Sequence, residues 1–300
     1  MTEQTRARLG SAPDSWGIWF PSDPQQTPAT RFLDEIAAAG YKWMELGPYG
    51  YLPTDPAELS DELAKRDLKV TAGTVGFPLH KKDRLKASVE EAVKVANLAA
   101  AVGGTHIVLM PDMYRDLQTG DYLESKDLDI DGWKQLIAAG DEIGRAVAQE
   151  TGLRVVFHPH ADTHVETEQQ TRKWLDDSDS EHIGLCLDTG HIAYRHGDNV
   201  ALMREYSDRV EYMHFKQVDP EKLAVVDEQD LGFKAAVAIG AIATPPAGVP
   251  KAEDIAAEMH LVDPDIVVIV EQDMYPCSPD RPLPIATRTC AHLREVGLAV

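Results

Sequence analysis

The sequence predicts a single (β/α)8 TIM barrel, one α/β domain over residues 1–300, and three observations lead to this prediction. Eight short apolar segments rich in β-branched residues recur along the chain, amphipathic helical segments lie between them, and no linker or change of composition interrupts the alternation. Near-continuous apolarity over four to eight residues is typical of strands that are buried on both faces. Regular alternation of such strands with helices indicates one domain with a parallel sheet.

The predicted strands are short apolar runs such as THIVLM and DIVVIV. In chain order they cover residues 8–13, 42–46, 68–75, 105–110, 153–158, 182–188, 210–215 and 265–271. The first two are the weakest, because their apolar runs are the shortest. Eight is the number of strands in a closed (β/α)8 barrel.

The predicted helices have recognisable first and last residues. Asp55-Pro56 begins one helix, because proline suits the first helical position. Glycine just before the next strand ends most of the others, as expected of a loop that leads from a helix to a strand. These helices are marked by Phe32 and Ile36 before Gly40, by Val89, Val93 and Ala96 before Gly103, by Trp133, Ile137, Ile143 and Val147 before Gly152, and by residues 284–293 before Gly297.

Right-handed crossovers between parallel strands leave two architectures open, a closed barrel and a doubly wound open sheet. The count of eight strands favours the barrel, and so does the lack of a glycine-rich phosphate loop after an early strand. Two long connections, 112–130 and 216–250, are predicted to cover a substrate at the top of the barrel. The second contains TPPAGVPK and is too rich in proline for one continuous helix.

Composition and charge exclude several classes of function. The chain has 29 Lys and Arg against 50 Asp and Glu, a formal net charge of −21, so it repels phosphate backbones and anionic lipids. We therefore expect neither a nucleic acid nor a membrane as a partner. Three cysteines without motif spacing, Cys186, Cys277 and Cys290, indicate a reducing compartment, and the first residues lack the apolar core of a signal peptide. The expected location is cytoplasmic, and a homo-oligomer is compatible with the sequence.

Ionisable side chains recur at the C-terminal ends of the last four predicted strands. The ends of barrel strands line the active site, and alternation along each strand directs these side chains to the barrel mouth. Imidazoles and carboxylates together suit a divalent cation. Each residue alone has an ordinary structural explanation, but four successive strand ends favour one site. The residues are His158 and His160, Asp188, His214 and Glu271.

Four segments around these residues resemble the sugar-phosphate isomerase/epimerase superfamily of xylose-isomerase-like barrels. They are HPHADTHVET (158–167), CLDTGH (186–191), MHFKQVD (213–219) and VIVEQD (268–273). Within that superfamily, the pattern is most similar to the myo-inosose dehydratase group. The resemblance is clear over the last four strands and loose in the first half, where ELGPYGYLP follows the second strand.

The resemblance implies one bound divalent metal, with Mn²⁺ or Co²⁺ favoured over Mg²⁺ or Zn²⁺. The superfamily holds its metal through a Glu, an Asp, a His and a second Glu; Asp188, His214 and Glu271 match the last three. His158 stands at the first position, where the epimerases have glutamate. Gln217 is a second departure, since the dehydratase-like motif usually has aspartate there. The first ligand is therefore His158, His160 or water.

Neighbouring side chains have predicted roles as well, from the resemblance for His191 and from position for the others, and each has a structural alternative. His191 resembles a histidine that binds a substrate hydroxyl, and is otherwise a surface residue of the first helical turn. Lys216 polarises a carbonyl, or pairs with Asp219 or Glu271. Glu45 binds a substrate hydroxyl or forms a buried salt bridge. Trp16 and Trp19 stack on the apolar face of a polyol ring or pack under the barrel rim.

The reaction implied is dehydration of a keto-cyclitol such as an inosose, or of a related keto-sugar, through an enediolate. The expected catalytic residues are His158, His160, Glu271 and Lys216, and the expected setting is carbohydrate metabolism and inositol catabolism. Because an imidazole replaces one of two symmetric glutamates, the acid and the base are unlike, which suits loss of water. Three alternatives stay open: a ketose 3-epimerase or sugar isomerase, a lyase that cleaves 3-keto-glycosides, and a metal-free sugar-binding barrel without catalysis.

Overall fold

The computed structural model describes residues 6–300 and contains a closed parallel barrel. The strands are β1 (Arg8–Ser11), β2 (Trp43–Glu45), β3 (Lys69–Phe77), β4 (His106–Pro111), β5 (Arg154–Phe157), β6 (Ile183–Asp188), β7 (Val210–Phe215), β8 (Gln217–Val218), β9 (Ile242–Ala243) and β10 (Val267–Val270). β1 pairs in parallel with both β2 and β10, and the ring runs β1-β10-β7-β6-β5-β4-β3-β2. The closed ring confirms the predicted barrel and excludes the open sheet.

Helices follow the barrel strands as predicted. They are α1 (Ala29–Ala38), α2 (Pro56–Ala64), α3 (Leu85–Ala101), α4 (Ile130–Thr151), α5 (Glu168–Asp177), α6 (Thr189–Tyr194), α7 (Asn199–Glu205), α8 (Pro220–Gln229), α9 (Phe233–Ala238), α10 (Ala252–Glu258) and α11 (Pro282–Glu295). Asp55 caps α2 by accepting hydrogen bonds from the backbone of Ala57 and Glu58. Gly152 adopts a left-handed conformation that ends α4. No helix within residues 6–300 has the length and apolarity needed to cross a membrane.

The core has two apolar layers, one inside the barrel and one between the strands and the helices. The inner cluster consists of small and β-branched side chains with one tyrosine: Ala12, Ala72, Val108, Val156, Cys186, Tyr212, Val267 and Ile269. Tyr212 satisfies its buried hydroxyl with the Thr71 hydroxyl at 2.7 Å. Because this layer fills the barrel below its mouth, ionisable strand-end residues are left to line the space above it.

The two long connections are built differently. Residues 112–129 contain no helix, and antiparallel bridges join Met113 to Thr163 and Arg115 to Tyr122. The connection 216–250 contains α8, α9 and the antiparallel pair of β8 and β9, so it is not one continuous helix, as predicted. Its apolar side chains form a separate cluster in which Phe233 packs with Ala161 and Tyr194. This packing places Phe233 beside the strand-end residues that line the barrel mouth.

Candidate active site

A cavity of about 330 Å³ lies at the C-terminal ends of the barrel strands. It has an ionisable floor and an aromatic and aliphatic rim. The ionisable lining comprises Asp14, Glu45, His158, His160, His214, Lys216, Glu271 and Asp273. Trp19, Met113 and Phe233 belong to the apolar part. A concave, mostly apolar site with a few converging polar groups is typical of small-molecule binding.

His214 at the end of β7 has the arrangement of a metal-ligating histidine. Its Nε2 donates to Glu45 Oε1 at 2.7 Å, and Glu45 is held in turn by the Thr74 hydroxyl, which donates to Oε2 at 2.9 Å. In the neutral imidazole, Nδ1 then carries a lone pair, and this atom faces Glu271 Oε1 at 3.1 Å and Asp188 Oδ2 at 3.8 Å. Three acceptor atoms converging on one point fit a divalent cation.

The pKa of His214 reflects the same surroundings. Burial alone would lower this pKa, but Cys186, Glu271 and Glu45 raise it well above its usual value. A proton and a divalent cation therefore compete for Nδ1, since a metal-ligating imidazole must be unprotonated there.

Asp188 and His158 complete the group of potential ligands. Asp188 Oδ1 accepts hydrogen bonds from the backbone of Gly190 and His191 at 2.7 and 2.8 Å, which caps α6 and orients the carboxylate. Oδ2 lies 3.3 Å from His158 Nε2. The ligand atoms of His158, Asp188, His191 and Glu271 all lie within 4.8 Å of one another, and so do those of Glu45, His214 and Glu271.

Lys216 is buried among carboxylates at the centre of the site. Its Nζ lies 2.7 Å from Asp273, 2.9 Å from Glu271 and 3.3 Å from Asp188. Burial lowers the pKa of Lys216, but the three carboxylates outweigh it and raise this pKa well above its usual value. Glu271 is thus an ion-pair partner of Lys216, as one of the structural alternatives predicted. The predicted pairing with Asp219 is wrong, because Asp219 caps α8 instead.

The strand-5 histidines lie close to each other but have different surroundings. His160 Nδ1 donates to the Ala161 carbonyl at 2.7 Å, so its lone pair is on Nε2. Burial, reinforced by His158 and Lys216, lowers the pKa of His160 to about 3. Within residues 6–300, His160 belongs to none of the groups of closely spaced ligand atoms, whereas His158 belongs to two. Of the two histidines predicted as the first metal ligand, His158 is the one that lies beside the other potential ligands.

His191 and Trp16 lie outside the cavity lining, in contrast to their predicted contact with substrate. His191 is buried and its Nε2 lies 3.0 Å from Lys216 Nζ. Trp16 is fully buried, where its Nε1 donates to Glu35 Oε2 at 2.9 Å and its ring packs against Phe32. A stacking role is therefore not available to Trp16. Trp19 does line the cavity, stacked on Tyr275 with ring centroids 5.0 Å apart.

Two aspartates that line the cavity were not singled out from the sequence. Asp273 follows Glu271 by two residues, so alternation along β10 could have found it. Asp14 lies in a short 3-10 helix, Pro13–Trp16, and no periodicity marks it. Within residues 6–300, neither Asp14 oxygen has a hydrogen-bond partner, although both are buried. Burial, followed by Glu271 and Asp273, raises the pKa of Asp14 well above its usual value.

Comparison with known proteins supports the assignment of this chain to the (β/α)8 barrel fold. The chain is 26% identical to an inosose dehydratase of Bacillus thuringiensis (strain Al Hakam) over 299 residues, which cover 98% of this chain and 99% of that protein. The IolI protein with a bound zinc atom superposes with a TM-score of 0.68 at 13% identity, covering 95% of this chain and 97% of the other. An L-ribulose 3-epimerase superposes with a TM-score of 0.70 at 16% identity, covering 97% and 95%. The profile of the xylose isomerase-like TIM barrel matches residues 33–295, and the chain belongs to that family.

Proposed function

We propose that the protein is a metal-dependent hydro-lyase that dehydrates a keto-cyclitol such as an inosose, or a related keto-sugar. The observation that carries this proposal is the orientation of His214, whose Nδ1 lone pair faces the carboxylates of Glu271 and Asp188. The inosose dehydratase of Bacillus thuringiensis, which aligns over almost the whole chain, supports the reaction class. The zinc atom bound by the IolI protein supports the presence of a metal in this fold.

The proposed ligands are His158, Asp188, His214 and Glu271. When bound, a divalent ion such as Mn²⁺ or Co²⁺ supplies Lewis-acid polarisation of a carbonyl and its neighbouring hydroxyl. The protein orients its own ligands through Glu45, which fixes the tautomer of His214, and through the backbone of α6, which fixes Asp188. Partners of this kind are worth a factor of about 10–100 in metal affinity.

The remaining cavity residues supply binding and proton transfer. Asp273 and Lys216 can hold substrate hydroxyls, while Trp19 and Phe233 cover the apolar face of a ring. His160 lines the cavity as a neutral imidazole whose Nε2 can accept the proton from the carbon beside the carbonyl. In the elimination step that follows, a hydroxyl group of the substrate leaves as water. Asp14 can donate the proton for this step, because its oxygens are unpartnered among residues 6–300 and its pKa is raised.

The test is turnover by metal-loaded protein. Protein stripped of metal and reloaded with Mn²⁺ or Co²⁺ is incubated in D₂O with a panel of inososes, ketoses and 3-keto-glycosides. We expect enone absorbance to rise with an inosose or keto-sugar, and to require the metal. Failure of every such compound to yield an enone would contradict the proposal.

The same experiment separates the alternatives. Deuterium incorporation with inversion and without enone would identify a 3-epimerase, the activity named for the L-ribulose enzyme of the same fold. Release of an aglycone would identify a lyase of 3-keto-glycosides. A protein that binds ligand without metal and without exchange would be a sugar-binding barrel.

A further inference from the structure

A second group of potential metal ligands lies at the same end of the barrel, in a different cleft. His80 follows β3, Glu124 lies between β4 and α4, and His164 lies between β5 and α5. Their ligand atoms lie within 4.8 Å of one another. The cleft has a volume of about 740 Å³, and among residues 6–300 it shares no lining residue with the central cavity.

The protons of these imidazoles can be assigned in part from their neighbours. His164 Nδ1 lies 3.0 Å from the Lys126 carbonyl, which only accepts, so Nδ1 carries a proton. His164 Nε2 faces Glu124 Oε1 at 3.3 Å, and this nitrogen either carries a second proton or has a lone pair that can bind a metal. His80 Nε2 lies 3.1 Å from the same oxygen. When His164 is neutral, its Nε2 and the Oε1 of Glu124 are two acceptors that face each other. A cation between them would remove this repulsion.

We propose that His80, Glu124 and His164 bind a divalent cation of the zinc class. Ligands at about 2.0–2.2 Å from a tetrahedral zinc lie about 3.4 Å apart, close to the two separations observed here. Two imidazoles and one carboxylate leave a fourth position for water. The Lys126 carbonyl fixes the tautomer of His164, as is usual for a zinc-binding histidine.

Burial and charge at the cleft favour a cation. His164 is buried and the side chain of His80 is only 10% exposed, so both ligands are shielded from solvent. Asp127, Asp129 and Asp131 line the cleft together with Lys82, so the carboxylates outnumber the cation in this lining. Lys81 binds Glu124 at Oε2, at 2.9 Å, and leaves Oε1 to the two imidazoles.

The ion would join three loops that cover the barrel. The loop of Glu124 also contributes Met113 and Leu117 to the central cavity, and the loop of His164 contributes His160. A cation held between these loops would therefore fix the rim of the active site without taking part in the reaction.

The test is the number of Zn²⁺ ions bound per chain by the full-length protein, measured by titration of metal-free samples with Zn²⁺ alone. Glu124→Gln and His80→Gln are the test variants, because each removes one proposed ligand and replaces it with an uncharged polar side chain of similar length. His196→Gln is the matched control, since His196 is an exposed histidine that pairs with Asp227 outside this cleft. We expect each test variant to bind one Zn²⁺ fewer than the wild type, and the control to bind the same number.

The comparison with the wild type makes the result independent of the central site. If the central site also binds Zn²⁺, the count falls from two to one; if it does not, the count falls from one to none. As a second measurement, ¹⁵N chemical shifts should report direct coordination at Nε2 of His80 and His164. An unchanged count in both test variants would overturn the proposal. So would protonated Nε2 atoms in the Zn²⁺-saturated wild type, because the cluster would then be an imidazolium–carboxylate ion pair.

Discussion

At the scale of single residues, the site depends on which nitrogen of each histidine carries a proton. Glu45 fixes the proton of His214 on Nε2, and the Ala161 carbonyl fixes that of His160 on Nδ1. The unprotonated nitrogen is therefore Nδ1 in neutral His214 and Nε2 in His160, and these two atoms have different neighbours. This difference is the basis for assigning a ligand role to His214 and a proton-transfer role to His160.

Substitution of residues around His214 should weaken metal binding to different degrees. His214→Ala and Glu271→Gln each remove a proposed ligand, so we expect loss of the bound ion and of activity. Glu45→Gln removes only the acceptor that orients His214, and we expect affinity to fall by a factor of about 10–100. Metal titration followed by circular dichroism measures binding and confirms folding. Unchanged metal content in His214→Ala and Glu271→Gln would refute the ligand assignment.

The role of His158 can be tested by replacing its imidazole with a carboxylate. Because His158 is a proposed metal ligand and Asp14 the proposed proton donor, we expect exchange of the proton beside the carbonyl and loss of water to fall together in His158→Glu. Loss of water that falls alone, by a factor of about 10²–10⁴, would contradict this assignment and make His158 the general acid. Deuterium exchange and enone absorbance measure the two steps separately. If both fall together, His158 acts as a ligand or positioning group; if neither changes, it lies outside the chemistry.

At the scale of elements, the loop between β5 and α5 is held by a buried ionic network. The fully buried Glu166 accepts hydrogen bonds from Tyr114 and Arg195, both at 2.8 Å, and pairs with Lys126 at 2.8 Å. Arg195 also reaches Asp162 at 3.1 Å. The network joins three connections over the barrel mouth and fixes the segment that begins with His158 and His160.

Loss of the central carboxylate of this network should be costly. We expect Glu166→Ala to lower the free energy of unfolding by about 1–3 kcal/mol, because it removes the acceptor of the buried Tyr114 hydroxyl and of Arg195 Nε. Glu90→Ala is the matched control, since Glu90 forms an exposed pair with Lys86 and should change stability by less than about 1 kcal/mol. Urea denaturation measures both. Equal effects in the two variants would contradict the role of the network.

The elements also show which parts of the molecule follow from sequence. All eight barrel strands were predicted, because strands buried on both faces are continuous apolar runs. The alternation of β5, β6, β7 and β10 also predicted which side chains meet. Asp14 was not singled out and Trp16 was expected to contact substrate, because both lie in the short 3-10 helix after β1, where no periodicity marks which side chains face the cavity. The cluster of His80, Glu124 and His164 was not foreseen, since its members come from three separate loops.

At the scale of the whole molecule, a half-buried histidine makes stability depend on pH. Burial, with smaller effects of Arg154 and Arg8, lowers the pKa of His106 to about 4. As pH falls below about 6.5, the unfolded chain binds a proton that the folded protein excludes, so stability falls until about pH 4. The contribution is at most about 3 kcal/mol. We expect His106→Gln to flatten the pH dependence of unfolding in this range; an unchanged slope would show that other groups cause it.

The arrangement of charges around Lys216 has a consequence for substrate selection. The single ammonium group is shared by Asp188, Glu271 and Asp273, and a divalent ion would neutralise the negative charge that remains. Among residues 6–300, the cavity lining contains no Arg and no Lys other than Lys216, so no cation is left to receive a phosphate group. The negative surface of the chain opposes a phosphorylated sugar as well. We therefore expect discrimination between electrically neutral polyols and their phosphate esters: a neutral inosose should bind, its phosphate ester should not compete, and competition by the ester would contradict this view.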